Sequence, residues 1–194
     1  QSCPRLYGLG YTHLFRREYK LAAIAAEQAI SINPNYADSY LTLAICRIHE
    51  GNPRAALTLV RKAMLINPDF PAAYASILGQ SHYFIGEYKQ AEVALREAIE
   101  RNSYLTTAHL FLIASLSKQG LTDEAEWAAE QLKNFTNDFS DEKISGMLPV
   151  DDVDDVDDVA DVADILQHLR LSSLFNKINF LAWSDCGCLK ITGA

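Results

Sequence analysis

The sequence predicts an all-α fold, a short solenoid of about four helical hairpins closed by a C-terminal capping helix. Three observations carry this expectation. Ala22, Ala56, Ala91 and Ala125 recur at intervals of 34, 35 and 34 residues. Ala29, Ala63, Ala98 and Leu132 keep the same intervals, Gly51, Gly86 and Gly120 keep two of them, and Asn33-Pro34 returns as Asn67-Pro68. Apolar residues inside each block fall at helical spacing, and no strand-like alternation of useful length appears.

Taken in order, each block reads as two amphipathic helices. Leu6, Leu9 and His13 form one stripe, and Tyr19, Ala22, Ala26, Ala29 and Ile30 form the next. The second block gives Tyr40, Leu43, Ala44 and Arg47, a break at Gly51-Asn52-Pro53, then Ala56, Val60, Ala63 and Ile66. Glycine suits a helix end, where the chain turns left-handed, and proline suits the first turn of the next helix. Residues 72–100 repeat the scheme with Leu78, Gly79, His82, Gly86, Ala91, Leu95 and Ala98. Residues 106–136 do so with Leu112, Leu116, Gly120, Ala125, Ala129 and Leu132. The one-residue slip falls at Asp69-Phe70-Pro71, in a connection, where insertions are tolerated. The small residues have a steric purpose, because alanine or glycine lets two helix axes approach closely.

These residues resemble the tetratricopeptide repeat. Leu9-Gly10, Leu78-Gly79, Gly86-Glu87-Tyr88 and the Asn-Pro pairs match best; Ile113 and Asn137 depart from the pattern in the fourth block. The resemblance implies a right-handed α-solenoid over residues 3–139, with repeats at about 3–36, 37–71, 72–105 and 106–139. Pro34-Asn35-Tyr36-Ala37-Asp38, Arg61-Lys62-Ala63-Met64, Leu78-Gly79-Gln80 and Glu100-Arg101-Asn102 also resemble the C-terminal repeat region of bacterial signalling proteins. There an adenylate cyclase or winged-helix DNA-binding domain lies upstream. Such regions often end in a Leu-Pro segment, an acidic stretch and a short helix, to which Met147-Leu148-Pro149 and Ile165–Leu169 are similar. The chain begins at Gln1 and enters a repeat at once, so a fragment of a longer protein is expected.

In the family so resembled, the first helix of each pair lines a concave groove that binds peptides. Its positions here are Tyr7, Tyr11, Leu14 and Phe15, then Leu41, Ile45, Ile48 and His49. The third block supplies Ser76, Gln80, Tyr83 and Phe84, and the fourth Leu110, Ala114 and Lys118. Such a groove is apolar and aromatic. It lacks the Lys, Asn and Arg set with which co-chaperone repeat domains clamp a carboxylate. Packing against the next repeat is the preferred reading for Leu41, Ile45 and Ile48; for Tyr11, Gln80 and Tyr83 packing and ligand contact both stand. Aromatic residues are the best hot-spot candidates if a groove is used.

Other features yield less. Hydrophobic residues make up 49% of the 194, as in folded proteins. Net charge is −8, and eight aspartates lie at 151, 152, 154, 155, 157, 158, 161 and 164. Without them the chain holds 17 acidic and 17 basic residues. A neutral array with an acidic appendage is a poor nucleic-acid binder, since phosphate contacts need a basic face. The acidic block lacks the glycine and closing glutamate of a calcium loop. Dense like charge favours a solvated linker over residues 140–157. Val159, Val162, Ala163, Leu166 and Leu169 then regain helical spacing, which predicts the capping helix at 158–171, ahead of an irregular tail at 172–194.

Cys46 lies on an apolar helix face, and Cys3, Cys46, Cys186 and Cys188 give no disulfide framework, so a cytoplasmic setting is expected. Cys186-Gly187-Cys188 offers at most two of four zinc ligands. His13 and His82 occupy equivalent repeat positions, and His49, His109 and His168 have no partner at metal-ligand spacing. No apolar run approaches the roughly 20 residues of a membrane span. No phosphate-cradling loop, zinc signature or nucleophile elbow appears, so neither an enzyme nor a cofactor is expected. The expected function is a protein-interaction module that binds a peptide or another domain of the parent protein. The alternative is an oligomerisation or spacer domain whose exposed repeat edge self-associates.

Overall fold

The computed structural model describes residues 2–135. The acidic segment, the expected capping helix and the tail lie outside the described residues. Within them the chain is all α: α1 (Cys3–Phe15), α2 (Tyr19–Ile32), α3 (Ala37–His49), α4 (Pro53–Ile66), α5 (Ala72–Ile85), α6 (Tyr88–Arg101), α7 (Thr106–Lys118) and α8 (Thr122–Phe135). They pair as the helical hairpins the sequence predicts, α1 with α2 through α7 with α8, and each even helix also packs on the odd helix that follows.

The turns within the hairpins are copies of one design. Gly51, Gly86 and Gly120 adopt φ of 71°, 86° and 77°. Each donates its N–H to the carbonyl three residues back, and the next residue donates to the carbonyl five back, as in Asn52 to Arg47 at 2.8 Å and Glu87 to His82 at 2.9 Å. This left-handed closure satisfies the orphan carbonyls of a helix end. The first hairpin makes the same bonds without glycine: Arg17 holds φ 57°, and Glu18 donates to His13 at 2.9 Å. A side chain in that region is strained by about 1 kcal/mol, so this turn is set by its surroundings, not by local preference. At α4 the next helix starts immediately, with the Asn52 side chain accepting from Ala55 N–H at 3.2 Å and Pro53 in the first turn.

Small residues form the contact lines. Ala22, Ala29, Ala56, Ala63, Ala91, Ala98 and Ala125 are each 0% exposed. Between them sit larger fully buried side chains, among them Val60, Leu95, Phe111 and Leu132, each contributing on the order of 1.5–3 kcal/mol of burial.

One asymmetry shapes the array. Odd helices also contact the next odd helix (α1 with α3, α3 with α5, α5 with α7), whereas no such pairing of appreciable extent links successive even helices. The odd helices therefore form the inner layer of a curved stack, and the even helices splay on the outside.

Candidate protein-binding surface

The inner layer carries the groove positions, and their exposure changes along the array. At the first hairpin they are open. Tyr11 is 48% and Phe15 75% exposed, while Tyr7 and Leu14 are half-buried. Their spacing along α1 brings the rings together: Tyr7 and Tyr11 stack with centroids 6.0 Å apart, and Tyr11 meets Phe15 edge-on at 4.9 Å. Tyr36, from the link between α2 and α3, adds a ring 5.4 Å from Tyr7. Burial, with Asp38 close by, pushes the Tyr7 and Tyr36 phenols up, so both remain neutral hydrogen-bonding groups.

At α3 the row is half closed. Leu41 and Ile45 are half-buried against a cluster of Ala44, Ile48 and Ile77, in which Ile48 is itself buried. His49 stacks on Tyr19 of α2, with centroids 3.8 Å apart and planes 14° apart. Burial, helped by the nearby Arg17 charge, lowers its pKa to about 4, so the ring is neutral at pH 7.

At α5 and α7 the row is packed. Ser76, Gln80 and Tyr83 are only 2%, 8% and 2% exposed, and Gln80 Nε2 donates to Ser76 Oγ at 3.2 Å. The Tyr83 ring lies within 5.4–5.6 Å of the rings of Phe84, Tyr88 and Phe111. Leu110 and Ala114 are buried, Phe84 and Lys118 half-buried. The structure thus gathers Tyr7, Tyr11 and Phe15 into one accessible patch, and keeps Ser76, Gln80 and Tyr83 inside an inter-repeat core.

The equivalent histidines behave alike. His13 Nδ1 pairs with Glu18, and His82 Nδ1 with Glu87 at 2.6 Å, each clasping the end of an odd helix to the start of the next even one. His109 Nε2–H donates to the Ser103 carbonyl at 2.9 Å. Among the described residues no group of three or more His, Cys, Asp or Glu is placed to hold a metal ion, and no helix is long and apolar enough to cross a membrane.

Two residues of the surface escaped the sequence reading. Tyr36 lies in a link, and Tyr19 begins an outer helix, so neither falls on a groove position; only their spatial approach to Tyr7 and His49 reveals them.

Comparison with known proteins agrees with this geometry. Tetratricopeptide-repeat profiles match residues 16–80 and 73–104. The chain belongs to the tetratricopeptide-repeat family. No curated protein matches the sequence significantly. Among solved structures, a thermophilic tetratricopeptide-repeat protein of Thermus thermophilus superposes with a TM-score of 0.66 at 16% identity, covering 94% of this chain and 98% of that one. MamA from Desulfovibrio magneticus gives 0.61 at 13% identity, over 69% and 75% of the two chains. A mutant O-GlcNAc transferase of Thermobaculum terrenum gives 0.56 at 22% identity over 59% of this chain but only 22% of the enzyme. At these identities the likeness is one of fold: tetratricopeptide hairpins stacked in series.

Proposed function

We propose that this tetratricopeptide array is a protein-interaction module whose inner face takes an apolar or aromatic segment of a partner polypeptide at its N-terminal end. The observation that carries this reading is the ring ladder of Tyr7, Tyr11 and Phe15 with Tyr36, half of it open to solvent. Rings already held by one another lose little freedom on binding, so they supply contact area at low entropic cost. Leu41 and Ile45 continue the apolar strip toward the middle of the array. The partner is a peptide or another domain of a larger bacterial signalling protein, and the module's role there is regulatory. Free Cys3 and Cys46 suit a reducing, cytoplasmic setting.

A library of short immobilised peptides, probed with the full chain and with Tyr11→Ala/Phe15→Ala, tests this. Both side chains are exposed, so helicity by circular dichroism stays unchanged in the variant. Loss of apolar-peptide capture is the expected result. Undiminished capture by the variant overturns the groove reading.

A further inference from the structure

The ring ladder of the inner face ends beside a carboxylate. Asp38 stands in the first turn of α3, three residues ahead of the groove residue Leu41, and so on the same helix face. Tyr36, at which α3 begins, is two residues before it. The Tyr36 ring meets that of Tyr7 at 5.4 Å with planes inclined by 58°, so the two form a corner, not a closed stack. The Asp38 charge reaches both phenols and helps to hold them neutral. Tyr7, Tyr36 and Asp38 all keep part of their surface in water.

Within the fold this carboxylate is only half used. Tyr74 of α5 donates to its Oδ1 at 2.6 Å, and a negative charge suits the first turn of a helix. No lysine or arginine among the described residues pairs with it. Elsewhere the cations are spent on other carboxylates: Arg47 on Glu27 and Glu50, Arg96 on Glu92 and Glu124, Arg101 on Glu97. A half-buried carboxylate bonded by a neutral phenol keeps its charge uncompensated. A peptide laid over it removes water from that charge, which is costly unless the peptide brings the opposite sign. The faces of two phenol rings beside it favour a cation as well.

We infer that the corner of Tyr7, Tyr36 and Asp38 receives an arginine or lysine side chain of the peptide whose apolar residues lie on Tyr11 and Phe15. The corner is part of the groove proposed above and rests on that reading; what it adds is the partner's charge, so the bound segment is basic as well as apolar. Arginine suits the corner best, because its flat guanidinium stacks on a phenol ring while its edge donates to the carboxylate. Were Asp38 there only for Tyr74 and the start of α3, the charge of the peptide would make no difference.

Fluorescence anisotropy of the full chain with synthetic nonapeptides tests this. The peptides are acetylated, amidated and built of leucine, tryptophan and alanine, with one arginine at each position in turn. A twin set carries neutral citrulline in its place. The best arginine peptide is expected to bind roughly tenfold more tightly than its twin, the scale of a cation held by a carboxylate and a ring. Added salt narrows that gap. Asp38→Asn keeps an oxygen for the Tyr74 hydroxyl but loses the charge; it brings the arginine peptide close to its twin and leaves the twin's affinity and the helicity unchanged. Equal affinity of every arginine peptide and its twin for the unaltered chain overturns the inference and leaves the groove standing. An arginine preference that survives Asp38→Asn overturns it too, and assigns the basic residue elsewhere, such as to the aspartates at 151–164. If neither set binds, the groove reading falls and the inference with it.

Discussion

Gly79 of α5 lies so close under Leu95 of α6 that a β-carbon on it would come within 2.5 Å of Leu95 Cγ and 2.8 Å of Cδ2. Leu95 is 0% exposed and has no room to retreat. Gly79→Ala is expected to destabilise by about 1–3 kcal/mol, the usual cost of overpacking. The repeat-equivalent Gly10 is different: its nearest contacts would be Ala22 O at 3.4 Å and Ala25 Cβ at 3.5 Å. Gly10→Ala is therefore expected to stabilise by about 0.5–1 kcal/mol, the helical preference for alanine. Urea unfolding midpoints of the two variants move in opposite directions; a shift of the same sign in both rejects the steric argument.

Tyr74 joins the second and third hairpins through its hydroxyl, which donates to Asp38 Oδ1 at 2.6 Å. The residue is 1% exposed, and burial together with Asp38 pushes its phenol well up, so the donor is never lost by ionisation near neutral pH. Tyr74→Phe keeps the ring and removes the bond to a charged acceptor, at an expected cost of about 1.5–3 kcal/mol. Thermal unfolding of the variant at pH 7 reads this directly, and an unchanged midpoint shows the bond to be dispensable.

His49 sets an acid limit. Its folded pKa is lowered from 6.5 to about 4 by burial and Arg17. Above pH 6.5 both folded and unfolded states hold a neutral ring, so nothing is lost. As pH falls from 6.5 toward 4 the unfolded state binds a proton that the folded state refuses, and stability declines; below 4 the contribution is flat. With the ring partly exposed, the loss is on the order of 2 kcal/mol. His49→Gln removes that slope. Equal slopes for the two proteins between pH 6.5 and 4 contradict the assignment.

Cys46 is expected to be chemically silent while the protein is folded. Burial, with Glu50 nearby, pushes its thiol up to about 12, so the nucleophilic thiolate is scarce at pH 8. Iodoacetamide labelling followed by peptide mapping gives modification of Cys46 only under unfolding conditions. Modification at the rate of a free thiol in the native state counts against this burial.

The hairpins, their turns and the small contact residues were legible in the sequence because each depends on spacing that recurs from block to block. Ala22, Ala56 and Ala91 announced helix contacts, and Gly51, Gly86 and Gly120 announced left-handed turns. Arg17 did not, since an arginine carries no turn signal of its own. Tyr11 and Tyr83 were both placed in the groove by the family resemblance, at different repeat positions, and the sequence left packing and ligand contact standing for each. Tyr11 is open, while Tyr83 is walled by the rings of Phe84, Tyr88 and Phe111.

By itself, then, the sequence determined an all-α array of tetratricopeptide hairpins, because helical period, cap chemistry and side-chain size are local requirements written in every repeat. Tertiary structure alone decided which equivalent positions remain accessible. Exposure depends on the neighbours on each side, and these differ between the first hairpin and those stacked behind it. That is why Leu9 and Leu43, identical in type and register, are respectively an open edge and part of the core.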